Sequence, residues 1–450
     1  MGVSLGILGP TSRGAVVPAD VKTHVQELVE AGQCAGIIVG LVDADGTAYF
    51  AHGKRSREGG IIDENTVFEI GSITKVFTAI LLASAVERGS PKADAAVTTC
   101  LPPQVNIPSY KGKSISLTDL ASQRSGLPRL PTNMQPADPD NPYADYTAER
   151  LYQFLNGYSL PREPGSAYEY SNVGAGVLGH ALWRAADKPY EQLVIERICK
   201  PLGMKDTVIT LMPGQSSRLA KGHADGREVK GWTFDALAGA GALRSTAKDM
   251  LGFLAANLGL QRTEFLPVLK RCLQDRWETG MPDTQVGWGW HITKGHGTEM
   301  IWHNGGTGGY HSFCGFVLDK KLGAVVLTNS SHDIDKIGFH LLEPKVELKP
   351  VRKATNVEAA VLETYVGHYE LQPGFVFQVT REGDQLFAQL TGQPRFEVFP
   401  ESETKFFYKV VDAQLTFVKG ADGSVSNLIL HQFGIDQKAP RKLPPASRPP

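Results

Sequence analysis

Apolar and polar residues follow two different periods along the first three quarters of the chain. The apolar run "GIIVGLV" at 36–42, the turn "DADG" and a second extended run at 47–52 predict a β-hairpin. A second predicted hairpin has strands near 310–317 and 323–329, joined at "DKKLG". The stretch "TEMIWHN", just before it, predicts one more strand. Strands are therefore expected near both ends of this part of the chain.

The long segment between the two hairpins has the spacing of helices. A helical pattern from Phe68 to Gly89 follows the first hairpin, and four more stretches repeat apolar residues at helical intervals. One antiparallel sheet flanked by helices, with an inserted helical subdomain, accounts for this order, so the predicted fold class is α+β. The four further stretches are Ser116–Gln123, Thr147–Asn156, Gly176–Ala186 and Thr246–Leu258.

The pattern changes near residue 355, where short runs of alternating apolar and polar residues begin. Turn signals such as "REGDQ" and "GADGS" separate them at the spacing of an all-β barrel or sandwich. We predict five segments: an N-terminal tail at 1–17, the α+β domain at 18–345, a linker at 346–360, an antiparallel β-barrel domain at 361–440 and a disordered tail at 441–450.

Composition and charge argue against several kinds of partner. The 450 residues are 42% hydrophobic and 21% charged, and their formal net charge of -1 gives no reason to expect nucleic acid or an anionic membrane. No apolar run reaches the roughly 18 residues of a membrane-spanning helix. The N-terminus lacks a signal-peptide pattern and the five cysteines are scattered, which favours the cytoplasm. A signal peptide removed beforehand would instead place the protein in the periplasm or outside the cell.

Two patterns match known motifs without their structural setting, and four histidines are clustered without matching one. "GVSLG" at 2–6 has the form of a nucleophile elbow but lacks the strand before it and the helix after it. "GAGVLG" at 174–179 matches a dinucleotide fingerprint without a preceding apolar strand. The histidines at 291, 296, 303 and 311 show no metal-ligand spacing. We therefore predict no cofactor and no metal.

Two polar residues interrupt the apolar helix predicted after Phe68. Ser72 and Lys75 are three residues apart, so their side chains lie on one helix face. Such a serine suits a helix cap, and such a lysine often lays its stem along apolar surface. The pair also suits catalysis, because a serine hydroxyl needs a base to become a nucleophile and a buried lysine of lowered pKa is one. Alone, these two residues leave both interpretations open.

Two distant stretches add polar residues of the same kind. "PGSAYEYSNVG" places Tyr170 and Asn172 two apart, where a tyrosine can relay a proton and an asparagine can bind a carbonyl. A turn tyrosine followed by a helix cap is the structural alternative. "WHNGGTGGYHS" places His303, Asn304 and Gly305 at the end of a strand. The glycines there either admit a substrate that pairs as an added strand or simply form a loop.

Together the three elements resemble a known family. Ser72-Ile-Thr-Lys75, Tyr170-Ser-Asn172 and His303-Asn-Gly305 have the order and spacing of the motifs of serine β-lactamases and penicillin-binding proteins. The class C branch, which includes DD-carboxypeptidases, D-aminopeptidases and carboxylesterases of family VIII type, is the most similar, over approximately residues 20 to 340. The barrel segment resembles the lipocalin-like module appended to some of these hydrolases.

The resemblance implies a role for each motif residue. Ser72 is expected to attack a carbonyl and form an acyl-enzyme, while Lys75 and Tyr170 share the general-base and general-acid work. Which of those two takes the proton stays open at this point. Substrate binding is the role implied for the remaining motif residues, namely Asn172, His303, Asn304 and Gly305.

The oxyanion hole implied by the same resemblance consists of the backbone N–H groups of Ser72 and Gly306. Two positions depart from the family pattern. Many class C β-lactamases carry lysine where this chain has His303, and histidine is more familiar among the peptidases and esterases. Relatives often have histidine-threonine where this chain has Gln123-Arg124, and the sequence assigns no consequence to that change.

The expected function is that of a serine hydrolase acting on a small ester or on an amide or peptide bond, of the carboxylesterase or D-amino-acid peptidase type. Two alternatives remain open: a class C-type β-lactamase and, from another class, a penicillin-binding receptor that acylates without turnover. The expected partner is thus a small-molecule ester, amide or β-lactam, and a homo-oligomer is compatible with the sequence. Specificity is expected to lie in loops such as 131–146.

Overall fold

The computed structural model describes residues 14–409, 411, 413–432 and 434–442. The chain divides into two compact units, one ending at Lys349 and the other beginning at Pro350, and each has its own hydrophobic core. The division falls inside the segment predicted as a linker. Most of the two predicted tails, residues 1–13 and 443–450, lies outside the described residues.

The strands of the first unit build one large sheet and three small two-stranded ones. In chain order they are β1 (Gly36–Asp43), β2 (Gly46–Gly53), β3 (Val67–Glu69), β4 (Ser109–Tyr110), β5 (Lys113–Ser114), β6 (His223–Ala224), β7 (Arg227–Glu228), β8 (Arg244–Thr246), β9 (Trp277–Glu278), β10 (Thr284–Val286), β11 (His291–Gly295), β12 (Thr298–Gly306), β13 (His311–Val317) and β14 (Leu322–Thr328).

The large sheet has eight strands in the order β2-β1-β14-β13-β12-β11-β10-β9, with every neighbouring pair antiparallel. The first predicted hairpin lies beside the second one, since Val39 of β1 is opposite Val326 of β14. This confirms the predicted sheet built from both ends of the domain. Strands β9 to β11 had no separate prediction, because each is short and only partly apolar.

Helices cover the sheet and form the inserted part of the first unit. They are α1 (Ala19–Glu30), α2 (Thr74–Glu87), α3 (Leu117–Ala121), α4 (Ala148–Gly157), α5 (Asn172–Ala186), α6 (Tyr190–Val194), α7 (Lys200–Leu202), α8 (Pro213–Ser216), α9 (Ala247–Asn257), α10 (Leu266–Arg271) and α11 (Asp335–Leu342). The four predicted helical stretches correspond to α3, α4, α5 and α9, which confirms the α+β class.

Capping side chains explain where these helices begin. The hydroxyls of Ser116, Thr147 and Thr246 each accept a backbone N–H from the first turn of α3, α4 and α9. Helix α5 begins earlier than its apolar pattern indicated. Its cap is Ser171, whose Oγ accepts from the N–H of Gly174 at 2.8 Å, so the Tyr170-Ser-Asn172 element forms the entry of this helix.

Helix α2 is the buried centre of the first unit. Every residue from Thr74 to Ala85 is buried, and the Phe77 ring stacks on Phe253 of α9 with centroids 4.8 Å apart. A helix that is apolar on all sides must be enclosed by other elements. The 3₁₀ turn Gly71–Ile73 leads directly into it. Its first turn therefore lies inside the protein, and polar groups there need partners.

The second unit is a closed antiparallel barrel, as predicted. Its helix α12 (Ala359–Tyr365) buries Leu362 and Tyr365 in the barrel core, within the segment predicted as linker and domain start. The barrel strands follow in sequential order: β15 (Gly367–Gln372), β16 (Phe375–Glu382), β17 (Gln385–Leu390), β18 (Phe396–Pro400), β19 (Lys405–Phe407), β20 (Ala413–Lys419), β21 (Val425–Gln432) and β22 (Ile435–Lys442).

The last barrel strand has no clear signal in the sequence. Strand β22 runs past the predicted domain end at residue 440, and Ala439 is its one fully buried residue. Without alternating apolar residues, a strand cannot be recognised by period. Within the described ranges, no helix is both long and apolar enough to cross a membrane.

Candidate active site

Ser72 and Lys75 lie side by side at the buried start of α2. The Nζ of Lys75 is 2.8 Å from the Oγ of Ser72 and donates a hydrogen bond to the carbonyl oxygen of Ala240 at 2.7 Å. The Ser72 side chain caps neither the 3₁₀ turn nor α2. Lys75 is only 2% exposed, so it does not extend to solvent. The structural alternatives for both residues therefore fail.

The surroundings of Lys75 favour its neutral form. Burial, and then the positive charge of Arg129, hold the pKa of Lys75 well below its ordinary value. A neutral amine at this place can donate one hydrogen to Ala240 and keep its lone pair directed at the Ser72 hydroxyl. The pair thus has the arrangement of a weak nucleophile with a base in contact.

Tyr170 completes this group from the loop before α5. Its phenol interacts with the Ser72 side chain, and the Nζ of Lys75 lies 4.8 Å from its ring centroid. Burial raises the pKa of Tyr170, and the contact with Ser72 only partly offsets that increase. The phenol therefore keeps its proton through the neutral pH range, unlike the neighbouring lysine.

Asn172 is the first residue of α5 and does not cap it. Its Nδ2 donates to the hydroxyl of Tyr143 at 2.9 Å. Its Oδ1 is buried without a hydrogen-bond partner among the described residues. Such a buried orphan acceptor is costly in a folded protein unless a donor reaches it in the working state. This amide is thus available to a ligand.

Gln123, which belongs to the Gln123-Arg124 pair that departs from the family pattern, has a structural role. Its backbone is in the left-handed region at a φ of 58°, and its side chain is 4% exposed. The Oε1 accepts from the N–H of Ser171 at 2.6 Å, and its carbonyl accepts from the N–H of Glu169 at 2.8 Å. Gln123 therefore holds both sides of Tyr170 and fixes the entry of α5.

His303 lies on β12 with its side chain turned toward Tyr170. The two ring centroids are 6.3 Å apart, and the ring of His291 on β11 lies 5.1 Å from that of His303. Burial, then the charges of His291 and Lys75, push the pKa of His303 far below its usual value. Its Nδ1 donates to the carbonyl of Asn304. The imidazole is therefore neutral beside Lys75.

Asn304 is the one motif residue whose side chain leaves the site. Successive residues of a strand point to opposite faces, so Asn304 and His303 cannot both face Ser72. The Nδ2 of Asn304 donates to Asp335 at the start of α11, and Asp335 also accepts from the Nε2 of His311 at 2.9 Å. A substrate contact by this side chain is therefore not supported, because its amide already links β12 to α11.

The same region contains a group of side chains with metal-ligand chemistry. Ligand atoms of His311, Asp333 and Asp335 lie within 4.8 Å of one another. Burial alone would lower the pKa of His311, but the hydrogen bond and charge of Asp335 outweigh burial and raise it. A protonated histidine between two carboxylates is an ion pair, and we interpret this group as one.

Two glycines bring β12 against the turn that contains Ser72. A Cβ on Gly305 would lie 2.1 Å from the carbonyl oxygen of Ile70, and a Cβ on Gly71 would lie 2.8 Å from the nitrogen of Gly306. Gly71 also has a φ of +47°, which favours glycine. Only glycine permits this approach. The backbone of Gly306 is consequently placed next to Ser72.

The hydrogen-bond ladder determines where the N–H of Gly306 points. Thr307 donates to Tyr310 across the β12–β13 turn, and Gly306 is opposite His311. Bonded and non-bonded pairs alternate in an antiparallel ladder, so the N–H of Gly306 points away from β13. Strand β11 pairs with β12 only as far as Trp302. The edge of β12 beyond that residue is therefore open on the side of Ser72.

Sequence reasoning missed several residues that border this site. Tyr143 stacks on Phe234 with centroids 4.6 Å apart and holds Asn172, and it lies in the loop expected to set specificity. Arg129 has its guanidinium carbon 5.2 Å from the ring centroid of Tyr170. Its carbonyl accepts from the N–H of Asn172 at 3.0 Å. Arg129 follows the stretch "SGLP" at 125–128, but no local pattern marks it as a site residue.

Comparison with known proteins assigns the chain to a class. The Beta-lactamase family model matches residues 21–341, so the chain belongs to the Beta-lactamase family and is a serine hydrolase of that family. The second unit corresponds to a different model, described as a domain of unknown function (DUF3471), over residues 351–441. The family predicted from the three motifs is thus confirmed.

Curated relatives resemble one or both units. The chain is 27% identical over 325 residues to D-alanyl-D-alanine-carboxypeptidase/endopeptidase AmpH of Escherichia coli (strain K12), a match covering 69% of this chain and 83% of that protein. It is 25% identical over 457 residues to Penicillin-binding protein 4* of Bacillus subtilis (strain 168), covering 94% of this chain and 98% of that protein.

A solved structure shares the fold of the first unit. The β-lactamase/D-alanine carboxypeptidase from Pseudomonas syringae superposes with a TM-score of 0.64 at 20% identity, covering 73% of this chain and 98% of that one. At this identity the likeness concerns the fold alone. The sheet and helical insertion described above are therefore those of this family.

Proposed function

We propose that this protein cleaves a small ester or an amide or peptide bond through an acyl-enzyme on Ser72. The observation that carries the proposal is the 2.8 Å contact between the Ser72 hydroxyl and the buried amine of Lys75. In this scheme Lys75 takes the proton as Ser72 attacks, because the lowered pKa of the amine leaves it neutral while the raised pKa of Tyr170 keeps the phenol protonated. Tyr170 then donates its proton to the leaving group and regains one from the protonated amine of Lys75, and water cleaves the acyl-enzyme.

The backbone N–H groups of Ser72 and Gly306 form the oxyanion hole in this scheme. Support comes from the glycine contacts that press Gly71 against Gly306 and from the ladder, which directs the Gly306 N–H away from β13. Donors fixed before reaction stabilise the developing negative charge, and each is worth about a hundredfold or more in rate. The open edge of β12 would pair with an extended substrate, and Asn172 would bind its carbonyl or amide.

The names of the relatives favour an acyl-donor substrate containing D-amino acids. AmpH is named a carboxypeptidase and endopeptidase for D-alanyl-D-alanine, and the match to Penicillin-binding protein 4* covers nearly the whole chain. Neutral His303 stands where many class C β-lactamases carry a lysine, which weakens the case for efficient β-lactam turnover. We therefore place peptidase or esterase activity ahead of β-lactamase activity.

Intact-mass spectrometry with a substrate panel tests the proposal. We expect a fluorophosphonate adduct that maps to the peptide containing Ser72, and hydrolysis of p-nitrophenyl acyl esters or of a D-alanyl-D-alanine peptide. Efficient nitrocefin turnover would instead select the β-lactamase alternative. A stable penicillin adduct without turnover of any substrate would select the receptor. No adduct at all would contradict the scheme.

The rate of acylation is expected to increase as the pH rises through the pKa of Lys75. The reactive form of this group is the neutral amine, and a lowered pKa moves its appearance to well below the ordinary value near 10.5. The second-order rate of fluorophosphonate labelling reports this step in the free enzyme, without contribution from deacylation. A labelling rate that falls with increasing pH across the neutral range would contradict Lys75 as the base.

Replacement of Gly305 by alanine is expected to damage both the oxyanion hole and the fold. The new Cβ would meet the Ile70 carbonyl oxygen at 2.1 Å, so β12 must separate from the Ser72 turn. We expect labelling to slow by about a hundredfold, since small misplacements of reacting groups cost that much. The free energy of unfolding should fall by about 1–3 kcal/mol in urea denaturation.

Gly295→Ala is the matched control for that substitution. It lies on the neighbouring strand β11, and its added Cβ would meet only the flexible end of Met300, at 3.3 Å. We expect wild-type labelling and nearly wild-type stability from this variant. Equal behaviour of the two variants would contradict the close-approach argument.

A further inference from the structure

Arg129 presents a charged group at the mouth of the candidate active site. The residue is exposed, and no carboxylate among the described residues pairs with its guanidinium. That group lies against the Tyr170 ring, at 5.2 Å from the centroid, while the main chain of Arg129 is bonded to Asn172. Most exposed arginines point freely into solvent, but this one is held over the tyrosine beside Ser72.

The positive charge of Arg129 influences the pKa of several side chains in the site. The positive charge of Arg129 is the second cause, after burial, of the low pKa of Lys75. It also acts to lower the pKa of Tyr143, Tyr168 and Tyr170, in each case against the larger effect of burial. The guanidinium over the Tyr170 ring is therefore close enough to act electrostatically on four side chains around Ser72.

Arg129 is the basic side chain of this site that is suited to bind an anion. His303 is neutral and therefore offers no charge to a substrate from the β12 side. Lys75 is buried, and its lowered pKa favours the neutral amine. An arginine fork binds a carboxylate through two parallel hydrogen bonds, and its stacking on an aromatic ring fixes the fork beforehand.

We propose that Arg129 determines specificity by binding a carboxylate carried on the acyl portion of the substrate. The acyl side is favoured because Arg129 is bonded to Asn172, the residue proposed to hold the substrate amide or carbonyl. This inference rests on the proposed acyl-enzyme function and narrows its substrate class to anionic acyl groups.

Three chromogenic esters of one chain length test the inference. p-Nitrophenyl hydrogen adipate carries a carboxylate on the acyl group, p-nitrophenyl hexanoate carries none, and 3-carboxy-4-nitrophenyl hexanoate carries one on the leaving group. We expect wild-type protein to show the highest kcat/KM with the adipate ester. The ratio of adipate to hexanoate should decrease with added salt, because the contact is exposed to solvent.

In Arg129→Gln the adipate-to-hexanoate ratio of kcat/KM is expected to fall about tenfold, because the variant loses a charge-assisted hydrogen bond to the adipate carboxylate. Any effect on Lys75 slows both esters alike and cancels in the ratio. Arg129→Lys should recover part of the preference. Arg124→Gln is the matched control, since Arg124 lies in the same loop and stacks on Trp277 at 4.8 Å.

The possible outcomes separate this inference from the proposed function. An unchanged ratio in Arg129→Gln would overturn the inference, and so would a preference that follows the carboxylate on the leaving group. If either result is found while all three esters are cleaved and fluorophosphonate labels Ser72, the inference fails but the proposed function stands. A wild-type protein that neither cleaves the esters nor is labelled would contradict both.

Discussion

Ser72→Ala is expected to abolish acyl-enzyme formation and to reduce hydrolysis by roughly a thousandfold or more. The variant removes the oxygen that would form the covalent bond, and among the described residues the amine of Lys75 forms hydrogen bonds with the Ser72 hydroxyl and the Ala240 carbonyl alone. The fold should remain intact, because the Ser72 side chain caps neither adjoining helix. Intact mass after fluorophosphonate treatment measures the first effect, and urea denaturation measures the second.

Ser84→Ala is the matched control for this prediction. Ser84 lies on the same helix, α2, and is 3% exposed, but it is more than two turns away from Ser72. Its replacement should leave labelling at the wild-type level. A Ser72→Ala protein that is labelled and turns over substrate like the wild type would refute the nucleophile assignment and the mechanism built on it.

The sequence predicts the position of the site better than its detailed contacts. Ser72 and Lys75 are three apart on one helix, so helical geometry alone brings them together. Residue type alone left a structural alternative open at the entry of α5 and at the end of β12, and the resemblance of their motifs to the family assigned both to the site. The structure gives the physical reason for Gly305, and also for Gly71, which the sequence did not single out: at both residues two backbones touch.

Long-range contacts explain what the sequence did not reveal. Gln123 supports Ser171 from a residue 48 positions away, and Arg129 reaches Tyr170 from a loop with no motif of its own. The alternation of a strand predicts that Asn304 faces away from His303, but its partner Asp335 could only be found in the structure. Strand β22 was missed because barrel closure, not an apolar pattern, holds it in place.

The electrostatics of the site follow from the burial of bases rather than from ion pairs. Lys75, His303 and His291 are all buried, and burial lowers the pKa of each, to about 4 for His291. These shifts favour the neutral form of all three groups at the first turn of α2. In the proposed scheme the lowered pKa makes the neutral amine of Lys75 available to accept the Ser72 proton, although it also makes that amine a weaker base.

Lys75→Met is expected to slow acylation by about a hundred- to ten-thousandfold, the usual value of a general base. Methionine has nearly the same length and removes the lone pair directed at Ser72. Because no carboxylate among the described residues pairs with Lys75, the substitution strands no buried charge there and removes the amine from the Ala240 carbonyl and the Ser72 hydroxyl. That loss should change the free energy of unfolding by no more than about 1–3 kcal/mol.

The residual labelling of Lys75→Met should also lose its dependence on the pKa of the amine. Lys92→Met, an exposed lysine beyond the end of α2, controls for removal of a positive charge and should keep both the rate and the pH profile of the wild type. Labelling of Lys75→Met at the wild-type rate, with the rise in rate moved to alkaline pH, would transfer the role of base to Tyr170. The raised pKa of that phenol argues against this result, because its ionised form is scarce near neutrality.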